Sequence, residues 1–248
     1  MRRLIIGSPT TMLKKLASIA QLLRLTAVCA LCNQYHREHF AICNSCLALL
    51  RRLEHACVIC QLPLADDSIL QCGYCIKQKP IYDQVLTAYI FEEPLRTLIH
   101  QFKYQQALYL NSLLTKLMLD ALPNQSYYSD CLIPIPLHPK RLYNRGFNQS
   151  VILAQALGKK LAIPVDLRVL HKTRNTQPQA TLSRKQRHSN LNSSFTVHTN
   201  HYQHVTIIDD LLTTGSTANE VAKALKDKNI QRVDIWCLAR ATIDLFPN

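Results

Sequence analysis

Apolar positions along this chain switch between a two-residue and a near-four-residue period, and the switching lays out its elements. Near the amino end Met12, Leu16, Ile19 and Leu23 recur at helical spacing behind the start signal Ser8-Pro9, so residues 1–28 predict a short amphipathic helix. After a long aperiodic stretch, Asp83 to Phe91 reads as the first strand of a main domain. Pro94 then opens a helix that runs to about Tyr104, and a second helical pattern covers Ala107 to Leu122. Cys131 to Ile135 is a short strand; Phe147 to Leu161, with Val151, Leu153, Ala154 and Leu157 on one stripe, is a helix. Val165 to Leu170 and the β-branched run Val205 to Ile208 are strands, Thr217 to Lys228 a helix, and Val233 to Ala239 the last strand. This alternation predicts an α/β fold, a parallel sheet flanked by crossover helices. His171 to Ser194 is polar and rich in Gln, Asn and Ser, with no period, and predicts a mobile loop.

Between residues 29 and 79 the periodicity gives way to cysteine. Eight of the ten cysteines form four CxxC pairs, Cys29/Cys32, Cys43/Cys46, Cys57/Cys60 and Cys72/Cys75. Ten residues separate the first two pairs and eleven the last two, close to the spacing of zinc ribbons, in which two facing knuckles supply four thiolates in a tetrahedron. Sequential pairing gives two four-thiolate zinc sites, whereas interleaved pairing gives a cross-braced module; the spacing permits both. A four-thiolate site has no open position for water or substrate, so the metal is structural, and its binding energy folds a segment with little core of its own. His36, His39 and His55 lie among the pairs as surface residues, while Cys131 and Cys237 sit in apolar runs as core residues. The domain plan is therefore an amphipathic helix at 1–28, a double zinc ribbon at 29–79 and the α/β domain at 80–248, with the last boundary near Lys79-Pro80.

The chain has 248 residues, 48% of them hydrophobic, enough for a core of normal size. Net charge is +13, and its placement is informative: His138 to Arg187 holds eleven Lys/Arg against Asp166 alone, or +10 of the total. A block of that sign points to a polyanionic partner, with pyrophosphate or nucleic acid as candidates. The first 28 residues carry Arg2, Arg3, Lys14, Lys15 and Arg24 and no acid. They lack both a cleavage pattern and an unbroken apolar run of roughly 18 residues, so neither a signal peptide nor a membrane span is expected.

Candidate chemistry concentrates in Val205 to Thr217, VTIIDDLLTTGST. The strand delivers Asp209 and Asp210 to the carboxyl edge of the sheet, where open α/β folds bind ligands, and two carboxylates there accept hydrogen bonds from vicinal ribose hydroxyls. Thr213, Thr214, Gly215, Ser216 and Thr217 follow with backbone N–H groups and hydroxyls at a helix N-terminus, a phosphate cradle. The segment resembles the phosphoribosyl-diphosphate (PRPP) motif of type I phosphoribosyltransferases at every position except Thr206, which stands where an apolar residue is expected. In that family the loop after the preceding strand holds pyrophosphate. The resemblance therefore implies such a role for the turn after Ile135, with His138, Lys140, Arg141 and Arg145 as the cationic side and a helix beginning after Gly146.

Beyond the cysteine pairs and this motif, the chain carries LIHQFKY at Leu98 to Tyr104 and PIPLHPKRLYNRGFNQS at Pro134 to Ser150. NTQPQATLSRKQRHSNLNSSF follows at Asn175 to Phe195, and LAR at Leu238 to Arg240. Together these resemble the ComF family over nearly the whole chain; Tyr143 departs from it by standing where a basic residue is frequent. The resemblance implies a bacterial cytoplasmic protein, with a phosphoribosyltransferase fold and a double zinc ribbon, tied to the uptake or use of incoming DNA in natural transformation. Two function classes follow. One is handling of single-stranded DNA, with protein partners in the DNA-uptake machinery, a PRPP or related nucleotide at the acidic pair, and Tyr104, Tyr143 and Phe147 stacking bases beside Lys103, Arg141 and Arg145. The other is an active transferase in which PRPP binds with Mg²⁺, Asp209 and Asp210 fix the ribose, and a nucleophile attacks the anomeric carbon.

Overall fold

The computed structural model describes residues 26–122, 127–173, 194–198 and 201–242. The amphipathic helix expected within 1–28 therefore lies almost wholly outside the described residues, as does most of the polar segment 171–194. The chain forms two compact units, Met1–Leu49 and Leu50–Asn248, and the division falls between the two cysteine groups, within the segment read as one double ribbon. In the first unit, β1 (Ala27–Val28) and β2 (Tyr35–His36) make an antiparallel pair ahead of the one-turn helix α1 (Asn44–Ala48); in the second, the short helix α2 (Gly73–Lys77) carries Cys75.

The second unit is built on a parallel sheet. Its strands are β3 (Gln84–Leu86), β4 (Tyr89–Ile90), β5 (Cys131–Pro134), β8 (His204–Leu212) and β9 (Arg232–Arg240), in the order β3–β9–β8–β5 with β4 also on β9. Because β8 and β9 are central they are covered on both faces, which explains their nearly unbroken apolar runs. Successive residues point to opposite faces. Val205, Ile207, Val233, Ile235 and Cys237 join one core with Ala218, Val221, Ala222 and Leu225 of α7 (Ser216–Lys226). Trp236, one residue out of step, lies on the other face and donates its indole N–H to the carbonyl of Met118 at 3.0 Å. That face is covered by α3 (Leu95–Tyr104), α4 (Asn111–Leu119) and α6 (Gln149–Leu161), α4 and α6 packing on each other. The expected parallel sheet with flanking helices is thus present. Among the described residues no helix is long and apolar enough to cross a membrane.

Several boundaries differ from the sequence reading. Residues 107–122 begin with a 3₁₀ turn at Leu108–Leu110 before α4. Val165 makes a single parallel bridge to Leu132, and the strand β6 forms later, at Leu170–Lys172, antiparallel to β7 (Phe195–Val197). The basic turn contains a helix of its own, α5 (Pro139–Arg145), which ends at Gly146 with φ 80°, a left-handed conformation that a residue without Cβ adopts at little cost. Thr206, the departure from the apolar pattern, is fully buried, but its hydroxyl sits 2.7 Å from that of Tyr127 and donates to Ser129 at 2.9 Å, so no hydrogen bond is forfeited. The same amino-end network contains Asp234, wholly buried, which accepts from His204 Nε2 and Gln84 Nε2 at 2.9 Å, Tyr127 Oη at 3.0 Å and Arg232 Nε at 3.1 Å. Burial alone would raise its carboxyl; these donors hold it below the ordinary value.

Candidate nucleotide site and metal centres

Strand β8 runs four residues past Ile208, with Asp209 opposite Cys237 and Leu212 opposite Arg240, so the acidic pair belongs to the sheet and not to a loop. Asp210 accepts an ion pair from Lys103 Nζ at 2.7 Å and a hydrogen bond from Gln149 Nε2 at 3.1 Å. Asp209 Oδ1 accepts from the backbone N–H of Asp210 at 2.9 Å and from the Ser150 hydroxyl at 3.4 Å. Burial and the neighbouring charge of Asp210 push the Asp209 carboxyl up to about 7. Although burial works against it, the Asp210 carboxylate holds the Lys103 ammonium above the ordinary lysine value. Among the described residues Asp210 has a cation partner in Lys103, and Asp209 has none within ion-pair distance.

The loop after the acids matches its expected form. Gly215 takes φ 77° and caps α7, where Asn219 N–H donates to the Gly215 carbonyl at 2.8 Å. A Cβ at Gly215 would come within 3.3 Å of the Tyr82 hydroxyl, so a side chain there would be strained by the conformation and would also crowd Tyr82. The hydroxyls of Thr214 and Ser216 lie 2.8 Å apart, the Ser216 N–H donates to the Thr214 hydroxyl at 3.4 Å, and the hydroxyl residues of the loop are half-buried beyond the carboxyl end of β8.

The cations come from three elements. In α5, His138 acts as the N-cap, its Nδ1 accepting from Lys140 N–H at 3.2 Å, so this histidine starts the helix. Arg145 donates to Gln149 Oε1 at 2.7 Å, and Gln149 in turn reaches Asp210, which couples the basic helix to the acidic pair. Burial and the facing Arg141 guanidinium pull the Lys172 ammonium of β6 down; burial and Arg145 do the same to Arg141. Like charges crowded in this way are what an anion would relieve. Arg145 also lies over the Tyr104 ring at 5.1 Å, and His100 packs against that ring at 4.9 Å; Tyr104 and Tyr143 are exposed. Phe147, by contrast, is half-buried and packs edge-on against buried Phe102, so of the three aromatics expected to stack bases Tyr104 and Tyr143 are the exposed ones.

Pattern reading did not connect Lys103, Gln149, Ser150 or Lys172 to the acids, nor Arg240 to the loop that follows them. The signal for Lys103 was available, because Leu95, Leu98, Ile99 and Phe102 form the buried stripe of α3 and Lys103 follows Ile99 by four residues. A lysine on an apolar stripe needs a buried anion.

The cysteines gather sequentially, Cys29, Cys32, Cys43 and Cys46 in the first unit and Cys57, Cys60, Cys72 and Cys75 in the second, which decides against interleaved pairing. Within each group the sulfurs lie within 4.8 Å of one another. Cys32 and Cys43 are 3.8 Å apart, and Cys60 and Cys72 3.6 Å, too long for disulfides. Four sulfurs each about 2.3 Å from a central ion lie about 3.8 Å apart, so both groups could hold zinc. Burial opposes ionisation of Cys29 and Cys57, but surrounding backbone N–H groups bring these thiols down to about 6 and about 7. The second group is packed into the core with Tyr82 and the α7 face.

No family model matches the chain. Curated relatives do. It is 34% identical over 179 residues to Competence protein F of Haemophilus influenzae, covering 68% of this chain and 78% of that one. It is 33% identical over 226 residues to the DNA utilization protein YhgH of Escherichia coli O157:H7, covering 88% and 99%. Competence protein ComFC of Bacillus subtilis is 26% identical over 202 residues, 75% of this chain and 78% of the relative. With 33 to 34% identity over 68 to 88% of this chain to Competence protein F and YhgH, and with both cysteine groups and the parallel sheet in place, the chain belongs to the ComF family.

Proposed function

We propose that this protein serves competence or DNA utilisation by handling single-stranded DNA, with a site for PRPP or a related nucleotide at the edge of β8 and β9. One observation carries the reading. An acidic pair with Asp210 buried and Asp209 half-buried, the hydroxyl-rich loop at 213–217 and the crowded cations Arg141, Arg145, Lys172 and Lys103 lie about one sheet edge. The carboxylates suit vicinal hydroxyls, the loop at Thr213, Thr214, Gly215, Ser216 and Thr217 suits the 5-phosphate, and the cations suit a diphosphate or a DNA backbone. Asp209, the member of the pair without a lysine, fits a water-held Mg²⁺, which when bound would supply charge to a diphosphate. The exposed Tyr104 and Tyr143 beside Arg145 and Arg141 offer base stacking along a single strand. The two cysteine groups bind structural zinc, which calls for the reducing conditions of a cytoplasm, and protein partners belong to the DNA-uptake machinery.

A second reading, phosphoribosyl transfer to an acceptor, draws on Asp209, whose carboxyl stands near 7, where a group both takes and returns a proton. The test is a binding comparison of PRPP with Mg²⁺ and of single-stranded DNA on the same purified protein, each competing with the other. Mutual competition places both at one site. Absence of PRPP binding ends the nucleotide reading, and absence of DNA binding ends the other.

A further inference from the structure

Arg240 closes β9 and is 3% exposed. Among the described residues no acid lies within ion-pair distance of it; its guanidinium is held by backbone carbonyls alone. Nε donates to the carbonyl of Cys60 at 2.9 Å, and Nη1 donates to those of Leu212 at 3.0 Å, Ala241 at 2.9 Å and Thr213. Two of these partners, Leu212 and Thr213, form the entry to the phosphate loop, and a third is a member of the second cysteine group. In a trans peptide the carbonyl and the following N–H point in opposite directions. Drawing the carbonyls of Leu212 and Thr213 toward Arg240 therefore turns the N–H groups of Thr213 and Thr214 away from it, out of the ribbon side of the loop.

A buried guanidinium without a counter-charge is strongly unfavourable, so the question is which anion faces Arg240. Four thiolates on one Zn²⁺ leave a net charge of about −2, and Arg240 touches the backbone of one of those four residues. The adjacent chain reinforces the link: Ile81 N–H donates to Asn219 Oδ1 of α7 at 2.8 Å, and Tyr82 packs on Gly215. We infer that Arg240 is a positioning residue that uses the metal-thiolate cluster at Cys57, Cys60, Cys72 and Cys75 as its counter-ion and thereby fixes the phosphate loop, so that the two metal centres have different duties. Metal in the second group governs the loop at 213–217. Metal in the first group, which sits in the other compact unit, does not.

The experiment is hydrogen exchange by mass spectrometry on the full-length, zinc-loaded protein, with zinc release to a chelator followed in parallel. Arg240→Lys keeps the charge and loses the fork. It should retain the fold and two zinc ions while peptides spanning 212–217 exchange roughly tenfold or more faster, the loss expected when charge-assisted bonds to carbonyls are removed. By reciprocity one of its two zinc ions should leave faster than in the wild type, by a similar factor. Cys32→Ser, which cripples the first group, should leave exchange at 212–217 unchanged. If Arg240→Lys does not fold, the chelator time course on the wild type and on Cys32→Ser carries the same test, since loop exchange should rise in step with loss of the second group's zinc. Unchanged loop exchange in Arg240→Lys, or loop exchange that follows the first group's zinc, overturns the inference. Neither readout needs a bound nucleotide, so failure of the PRPP reading would be seen separately, as absent binding in calorimetry.

Discussion

Replacing Asp209 by Asn should stabilise the ligand-free protein and weaken its ligand binding, two effects of opposite sign from one nearly isosteric change. Asn Oδ1 can still accept from the Ser150 hydroxyl and the Asp210 N–H, so the geometry is kept while the charge is removed. The folded-state carboxyl is raised from 3.8 to about 7, a value that already includes the attraction of Lys103. The folded protein therefore binds more protons than the unfolded chain between those limits, and stability falls as pH rises through that window. A separation of about 3 pH units at about 1.4 kcal/mol each gives up to about 4 kcal/mol, and solvent at the sheet edge reduces this to roughly 2 to 4 kcal/mol. Asn escapes this penalty. Urea unfolding of both proteins at pH 4.5, 6 and 8 should show a gain of about 1 kcal/mol at the lowest pH, growing to the full value near pH 7 and constant above it. Calorimetry with PRPP and Mg²⁺ should show a drop in affinity of roughly tenfold to a hundredfold, the loss of a hydrogen bond to a charged acceptor. A pH-independent gain, or destabilisation at every pH, would refute the electrostatic argument. Unchanged affinity would make the motif a scaffold only.

The other predictions concern the cations and the metals. Lys103→Met leaves Asp210 buried without its ion partner and should destabilise by roughly 3 kcal/mol in chemical unfolding; a loss below about 1 kcal/mol would mean that solvent already screens the pair. Arg141→Ala combined with Arg145→Ala should weaken DNA binding about equally for all sequences and flatten the log-log salt dependence, and an unchanged slope would remove these residues from the phosphate contacts. Metal analysis should give about two zinc ions per chain; Cys29→Ser and Cys72→Ser should each lower that count, and Cys72→Ser, whose group is packed into the main core, should also lose soluble protein, whereas a zinc-free, fully folded wild type would end the ribbon assignment.

Much of the sheet was legible because central parallel strands are apolar on both faces: Val205 to Ile208 and Val233 to Ala239 announce themselves as β-branched or continuous apolar runs. The carboxyl-terminal part of β8 was not legible, since Asp209 and Asp210 interrupt the run and only pairing with β9 carries the strand on to Leu212. The strand at 165–170 was placed early for a related reason. Val165 is apolar and extended but finds one partner, Leu132, whereas Leu170 to Lys172 finds a full antiparallel neighbour in Phe195 to Val197, a pairing no local pattern encodes. The acids, the hydroxyl loop and the cysteine spacing could be read because their chemistry is contiguous. Lys103, Gln149, Lys172 and Arg240 act across the fold, and their roles emerge only when α3, α6, β6 and β9 meet at one edge.

Strands β8 and β9 carry carboxylates at both ends, and the two ends are provisioned unequally. At the amino end Asp234 is saturated, with donors from His204, Gln84, Tyr127 and Arg232, and its charge is entirely occupied in closing the sheet. At the carboxyl end Asp209 is left short, with one backbone and one long hydroxyl contact, and its charge is held at a disadvantage. An under-donated carboxylate in a well-packed sheet is, among the described residues, an unfilled valence of the fold, the point that an added donor or cation would complete. For relatives whose motif has drifted beyond recognition, the ratio of donors to buried carboxylate oxygens at the two ends of the central strands would still tell which edge binds and which edge only holds.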